Sequence, residues 1–132
     1  GWASFSEELL FDTGYFHGPT DRLLMAKRRF WRAMRGRIDL DIHTRRRRMD
    51  QAVDLLVAYG RPAHQAVAMV DRYALKPGYQ LAYTMGRRQF RRLYEHYRKA
   101  PGSPAAFARK ILSIGEIGFH HLEAALRRSG LP

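Results

Sequence analysis

The chain has 132 residues, enough for one domain of ordinary size, and its hydrophobic fraction of 45% excludes an intrinsically disordered polypeptide. It contains no cysteine, which excludes disulfide frameworks, zinc fingers and thiol nucleophiles and suits either an oxidising or a reducing compartment. Its net charge of +12 favours polyanionic partners: nucleic acid, an acidic membrane surface or an acidic protein.

Apolar residues at helical spacing predict a first helix over the first eleven residues, with Trp2, Phe5 and Leu9 on one face. Gly1 alone precedes this helix, and nothing else in front of Trp2 could cap it. We therefore expect the chain to be a fragment that begins inside a longer helix. A loop is predicted from Asp12 to Pro19, because two glycines and a proline interrupt the pattern.

Three more helices are predicted before Lys76. Thr20 is a candidate N-cap for the long second helix, whose apolar stripe is Leu24, Trp31, Met34, Ile38 and Ile42. A run of four arginines, Arg45 to Arg48, separates it from a third helix that stops at Gly60 and turns inward Ala52, Val53, Leu56 and Val57. Pro62 suits the first turn of the fourth helix, with a stripe of Ala63, Ala66, Val67, Val70 and Ala74.

The Pro77-Gly78 pair predicts a break before a fifth helix from about Tyr79 to Lys99. The core candidates of this helix are Leu81, Ala82, Met85, Phe90, Leu93 and Tyr97. Its outer face is expected to carry Arg87, Arg88, Arg91 and Arg92. Residues 100–104 read as a linker, in which Ser103 and Pro104 suit the N-cap and first position of the next helix.

The last segment, residues 105–132, predicts short C-terminal helices that end near Gly130. Their apolar faces are Phe107, Ile111 and Leu112, then Phe119, Leu122 and Leu126. No strand alternation is evident anywhere. The sequence thus predicts an all-α fold, a bundle-like array of six to seven helices, in a single helical domain or fragment over residues 1–132 whose main helices lie in residues 1–99.

Three segments, in this order along the chain, resemble one bacterial family. They are Gly1-Trp-Ala-Ser-Phe-Ser-Glu7, Asp41-Ile-His43 and Lys76-Pro-Gly-Tyr-Gln-Leu-Ala-Tyr-Thr-Met-Gly86. The chain looks like the C-terminal part of the family catalogued as domain of unknown function 885. It departs from the family at Tyr79, since Gln often follows the Pro-Gly pair directly and here stands one position later, as Gln80. The run of four arginines, Arg45 to Arg48, also stands where the family has a less strongly charged segment.

The resemblance implies a hydrolase. Members of the family resemble helical zinc peptidases of the thimet oligopeptidase and carboxypeptidase Taq type. Their metal motif, a His-Glu-x-x-His-like helix, and a further glutamate ligand are expected upstream of Gly1. Zinc is therefore expected in a longer parent chain, in the cytoplasm or the periplasm of a bacterium. This chain alone is expected to hold no metal and to have no activity, and its partners would be the upstream part of the parent and a peptide substrate.

The resemblance places the candidate catalytic residues Tyr83, Tyr79 and His43 in the region from which such peptidases take their oxyanion donors. Tyr79 and Tyr83 are four apart, so on a helix they share a face. The Pro-Gly break before them lets the backbone approach a substrate. The alternative for Tyr83 is a core aromatic residue whose hydroxyl is satisfied. Trp2, Glu7 and Gln80 are candidates for support of the cleft, with packing as the alternative for Trp2 and solvation as that for Glu7.

The pattern of positive charge is also compatible with a second function. Arg45, Arg46, Arg47 and Arg48, together with the arginines of the fifth helix, could form a phosphate-binding surface. The alternative function is therefore a basic helical module that binds nucleic acid or another polyanion. No helix-turn-helix or other nucleic-acid motif accompanies these residues, which favours a solvated face or an acidic substrate or partner domain.

Overall fold

The structure, a computed structural model, describes residues 1–98 and 103–128. These residues form seven α-helices and no strand, so the predicted all-α class is confirmed. The helices are α1 (Trp2–Asp12), α2 (Pro19–His43), α3 (Met49–Ala58), α4 (Ala63–Ala74), α5 (Leu81–Tyr97), α6 (Pro104–Ile114) and α7 (Phe119–Arg128). The predicted helix ends at Lys99 and near Gly130, and most of the predicted linker, lie outside the described residues.

The chain folds as two compact units. Unit 1 is formed by the described residues of Gly1–His17 and Gly86–Pro132, and unit 2 by Gly18–Met85. The division falls within α5, whose first residues belong to unit 2.

Aromatic rings dominate the core of unit 1. Phe5 and Phe107 are fully buried, and their ring centroids are 6.0 Å apart. The Tyr94 ring lies 5.7 Å from that of Phe5 and 5.2 Å from that of Phe107. The remaining buried apolar residues around them are Leu9, Leu93, Tyr97, Ile111, Leu122 and Leu126. Because each fully buried ring contributes about 2 kcal/mol of transfer free energy, this cluster accounts for much of the stability of unit 1.

Three of the α5 arginines that the sequence predicted on an outer face form ion pairs within unit 1, where Arg92 is 66% exposed and Arg87 and Arg91 are 31% and 30% exposed. Their partners lie on α1 and α7: the pairs are Arg87 with Glu8, Arg91 with Asp12, and Arg92 with Glu123. The first pair is the most buried, since the Glu8 side chain is 6% exposed and accepts from Arg87 Nη1 at 2.9 and 3.0 Å. The sequence could not predict these pairs, because the acidic partners are 79 and 31 residues away along the chain.

Small and branched residues of three helices form the core of unit 2. The α3–α4 interface includes the fully buried Ala52 and Ala66, whose methyl groups let the two helices approach closely. Ile38 of α2 closes this core from a third side and is also fully buried. The other buried apolar members are Met34, Leu56, Val70 and Tyr73.

The start of α2 differs from the prediction. The N-cap is Gly18 rather than Thr20, and Pro19 takes the first helical position. Proline suits that position because its φ is fixed near the helical value and it has no N–H to leave unpaired. The carboxylate of Asp21 accepts from the Gly18 N–H at 3.2 Å, which completes the cap from the third helical residue.

Several residues predicted on apolar faces are more than two-fifths exposed. The neighbouring elements therefore cover less of these helices than the apolar pattern predicts. These residues are Leu24, Val57, Val67, Met85 and Leu112.

Ser103 caps α6 as predicted, with Pro104 in the first turn. Its hydroxyl accepts from the Ala106 N–H at 3.2 Å. Ser103→Ala is expected to destabilise unit 1 by about 1 kcal/mol, because that N–H loses its partner. Thermal unfolding of the variant measures the change. Ser113→Ala, at an exposed serine that donates to the Lys110 carbonyl, is the control and is expected to cause no loss.

Candidate functional site

A buried carboxylate fixes the segment between α4 and α5. Asp39 of α2 is fully buried, and its Oδ1 accepts from the Gly78 N–H at 3.0 Å while its Oδ2 accepts from the Gln80 N–H at 2.8 Å. Gly78 has φ +77°, a conformation that glycine adopts without strain. This turn occupies the residues before α5, which begins at Leu81, two residues after the predicted start near Tyr79.

His43 lies one helical turn after Asp39 and contacts the same region of unit 2. Its Nε2 is 3.1 Å from the Tyr73 carbonyl oxygen and 3.5 Å from Asp39 Oδ1. Since both neighbours accept hydrogen bonds, Nε2 carries the proton and donates to Tyr73. The imidazole thus links the end of α2 to α4. It also lies beside the Asp39 carboxylate that accepts the hydrogen bonds of the turn.

Beside this turn, unit 2 contains a cavity of about 500 Å³. Its lining includes four cationic side chains and no carboxylate. The lining residues are Arg35, Arg61, Met69, Arg72, Tyr73, Lys76, Tyr79, Gln80 and Tyr83. Three of the sequence-predicted site residues, Tyr79, Gln80 and Tyr83, therefore lie together in one wall.

Tyr79 and Tyr83 form a pair at this cavity. Their hydroxyl oxygens are 3.4 Å apart, and their rings meet edge to face with centroids 5.8 Å apart. The hydrogen bond with Tyr79, helped by partial burial, raises the pKa of the Tyr83 hydroxyl above its usual range. At neutral pH that hydroxyl therefore stays protonated and able to donate. The Arg35 guanidinium lies 5.3 Å from the centre of the Tyr83 ring.

The cavity wall also holds buried polar atoms that lack a hydrogen-bond partner among the described residues. They are Arg35 Nε, Arg61 Nε, the Tyr73 hydroxyl and Gln80 Oε1. Tyr73 is 2% exposed and Gln80 is 4% exposed. Burial raises the pKa of the Tyr73 hydroxyl, so this group also remains protonated.

The four-arginine run forms a turn between α2 and α3. The backbone N–H groups of Arg46 and Arg47 donate to the Asp41 carbonyl at 2.8 and 3.1 Å. Arg47 Nε also lies 3.6 Å from the buried Asp41 carboxylate, and Arg48 pairs with the exposed Asp50. Half of the run is therefore directed at acidic groups of the chain itself.

Trp2 and Glu7, the remaining predicted site residues, belong to unit 1. The Trp2 ring packs edge to face on Phe90 with centroids 5.3 Å apart, and it lies 5.8 Å from the ring of Phe5. This arrangement agrees with the packing alternative for Trp2. Glu7 lies half-buried on α1.

The sequence did not identify Asp39 or the cationic residues that line the cavity as residues of the site. One signal for Asp39 was available, because this acidic residue adjoins the apolar stripe at Ile38 and stands four residues before His43. Arg35, Arg61 and Lys76 carried no comparable signal. They are far apart along the chain, and only the packing of α2 with α4 brings them together.

Two further observations concern metals and membranes. Within residues 1–98 and 103–128, no three side chains of the types His, Cys, Asp or Glu lie close enough together to hold a metal ion. In the same part of the chain, none of the helices combines the length and the apolar character needed to cross a bilayer.

The chain is all-helical in its described residues, and unit 2 contains a cavity lined by cationic side chains. The family described as "Bacterial protein of unknown function (DUF885)" matches residues 1–126, so the chain belongs to this family. The family resemblance drawn from the three sequence segments is thereby confirmed. No curated protein and no solved structure matches the chain.

Proposed function

We propose that this chain is the C-terminal helical segment of a zinc-dependent peptidase, in which it supplies one wall of the substrate cleft and hydrogen-bond donors for the oxyanion. The paired hydroxyls of Tyr79 and Tyr83 carry the proposal. They stand together at a cavity large enough for part of a peptide, on a segment that the Asp39 carboxylate fixes. The resemblance of the family's members to helical zinc peptidases, drawn from the sequence, is the other support of the proposal.

The chemical role follows from the protonated state of Tyr83. When water adds to the carbon of a peptide carbonyl, the carbonyl oxygen gains a negative charge. A phenol O–H held close to this oxygen stabilises the charge by donating a hydrogen bond to it. Tyr79 orients its partner through the contact between the two hydroxyls. The Tyr83 O–H then turns from Tyr79 towards the oxyanion as the charge develops.

The described residues do not fit the zinc that the resemblance implies, since they offer no group of three ligands. In this proposal the metal is held by residues upstream of the chain. The roles assigned to the chain are therefore limited to binding the peptide, orienting it and donating to the oxyanion.

Tyr83→Phe tests the proposal in the protein at its full natural length. We expect kcat for a cleaved peptide to fall about tenfold, or about 1.4 kcal/mol of barrier, with KM little changed. The loss is smaller than for a solitary donor because Tyr79 remains nearby. Peptides that the protein cleaves are first found by mass spectrometry of a peptide mixture, and steady-state rates are then measured.

Tyr59→Phe is the matched control, because Tyr59 is about half exposed in the same unit, packs on Phe30 and does not line the cavity. It is expected to leave kcat unchanged. Equal turnover by the Tyr83→Phe variant and the wild type, with both folded, would remove Tyr83 from the oxyanion site. Absence of any peptide cleavage would reject the peptidase.

Binding of nucleic acid or another polyanion, the alternative function, is still a prediction. Replacing all four arginines of the run by alanine tests it, because phosphate contacts make affinity fall steeply with salt. Salt-sensitive binding of DNA or RNA that the replacement abolishes, in a protein without peptidase activity, would establish the binding module instead.

A further inference from the structure

We infer that the cavity of unit 2 binds a carboxylate group of the peptide substrate. The inference rests on the proposed function, which supplies the peptide substrate. It adds which chemical group of that peptide the cavity binds. The carboxylate can come from the C-terminal end of a peptide or from an acidic side chain. The chemistry of recognition is the same in both cases.

The charge of the lining is the first support. Arg35, Arg61, Arg72 and Lys76 surround about 500 Å³ of space, and no carboxylate lines it. None of the four forms an ion pair with another described residue, in contrast to the arginines of α5 in unit 1. Like charges held around one space repel each other, and an anion in that space converts the repulsion into attraction.

The unpaired polar atoms are the second support. Six buried side-chain nitrogen or oxygen atoms have no hydrogen-bond partner among the described residues, and four of them belong to residues that line this cavity. A buried polar group without a partner costs free energy, so four at one place need an explanation. A ligand supplies it, because small side-chain rotations on binding give these groups their partners.

The orientation of Arg61 is the third support. Its guanidinium lies 3.9 Å from the centre of the Trp31 ring, which holds the planar group against a flat surface. A guanidinium fixed in this way keeps its parallel N–H donors in the fork that matches a carboxylate.

The mixture of donors and acceptors favours a peptide carboxylate over an inorganic anion. Arg35 and Arg61 offer donors, whereas Gln80 Oε1 is an acceptor that needs a donor. An amino-acid residue in a peptide has both, a carboxylate and a backbone N–H. Tyr79 and Tyr83 line the same cavity, so a carboxylate held there lies beside the groups proposed to contact the reacting carbonyl.

Binding of small probes to the full-length protein, measured by titration calorimetry, tests the inference without any need for turnover. The probes are acetyl-alanine with a free carboxylate, acetyl-alanine amide, and acetyl-aspartate amide, whose carboxylate is on the side chain. We expect one or both carboxylate probes to bind at least about tenfold more tightly than acetyl-alanine amide. Tighter binding of acetyl-alanine identifies the C-terminal end as the source, and tighter binding of acetyl-aspartate amide identifies the side chain.

Arg35→Gln is expected to weaken the carboxylate probe about tenfold and to leave the amide probe unchanged. Lys76→Gln, at an exposed lining residue, repeats the test where Arg35→Gln fails to fold. Lys27→Gln, an exposed change of equal charge on α2 outside the cavity, is expected to have no effect. Inorganic phosphate serves as a further probe.

Equal binding of the acid and amide probes would overturn the inference, as would wild-type affinity in the folded cavity variants. Binding of phosphate without either carboxylate would overturn it too. The result is separable from the proposed function. Peptide cleavage with no preference for a carboxylate rejects the inference alone, and carboxylate binding that depends on Arg35 without any cleavage rejects the peptidase alone.

Discussion

Asp39→Ala is expected to have the largest effect on stability, with unit 2 losing about 3–5 kcal/mol. The substitution removes the acceptor of two backbone hydrogen bonds, those from Gly78 and Gln80, in a fully buried place that water enters poorly. It also removes the acceptor that lies 3.5 Å from His43 Nε2. Because a bond of a backbone N–H to a carboxylate is stronger than one between neutral groups, the loss exceeds that of an ordinary turn substitution.

Hydrogen exchange measures this change where it arises. The amides of Gly78 and Gln80 are expected to exchange at least about a hundredfold faster in the variant, since every 1.4 kcal/mol corresponds to a factor of ten. Asp50→Ala is the control, because Asp50 pairs with Arg48 on the exposed surface of the same unit. It is expected to leave both amides and the unfolding midpoint unchanged. Unaltered exchange after Asp39→Ala would show that the carboxylate does not fix the turn.

Gly86→Ala is expected to destabilise unit 1 by about 2–3 kcal/mol. A Cβ at Gly86 would lie 2.6 Å from the Cα of Gly1, a distance at which the backbone must move. Alanine is the better helix former by up to about 1 kcal/mol, but this gain is smaller than the cost of the overlap. A close approach of α1 to α5 therefore requires glycine on both sides.

Gly36→Ala is the matched comparison, because Gly36 is also a buried glycine within a helix. A Cβ there would lie 3.5 Å from the Gln80 carbonyl oxygen and 3.5 Å from Leu81 Cδ2, which is ordinary contact. This variant is expected to gain up to about 1 kcal/mol through helix propensity. Thermal unfolding of the two variants should move the midpoint in opposite directions. A shift of the same sign in both would reject the overlap between α1 and α5.

Periodicity was sufficient to predict the helices and failed where a distant group decides the backbone. The apolar spacing gave the fold class and the approximate bounds of every described helix, since each helix buries one face. The start of α5 lies two residues later than predicted because Asp39 accepts from the Gln80 N–H across 41 residues of chain, and no local pattern records this contact. The ion pairs of the α5 arginines were not predicted for the same reason, as the partner of Arg87 is 79 residues away along the chain.

The candidate site was predicted in part. The resemblance grouped Tyr79 and Tyr83 with His43; the two tyrosines line the cavity, whereas His43 is not among its lining residues. The electrostatic character of the cavity was not anticipated. Arginine is common along the whole chain, and its count does not separate the cations that line a cavity from those that pair with acids.

The stacking of Arg61 on Trp31 gives the cavity an optical reporter. The chain has two tryptophans, and Trp2 lies in the aromatic core of unit 1. Indole emission responds to a charge held 3.9 Å above the ring, so an anion that pairs with the Arg61 guanidinium changes the electrostatic field at Trp31 and with it the fluorescence. With Trp2 replaced by Phe, the emission of this segment comes from one ring, and occupancy of the cavity can be followed in real time.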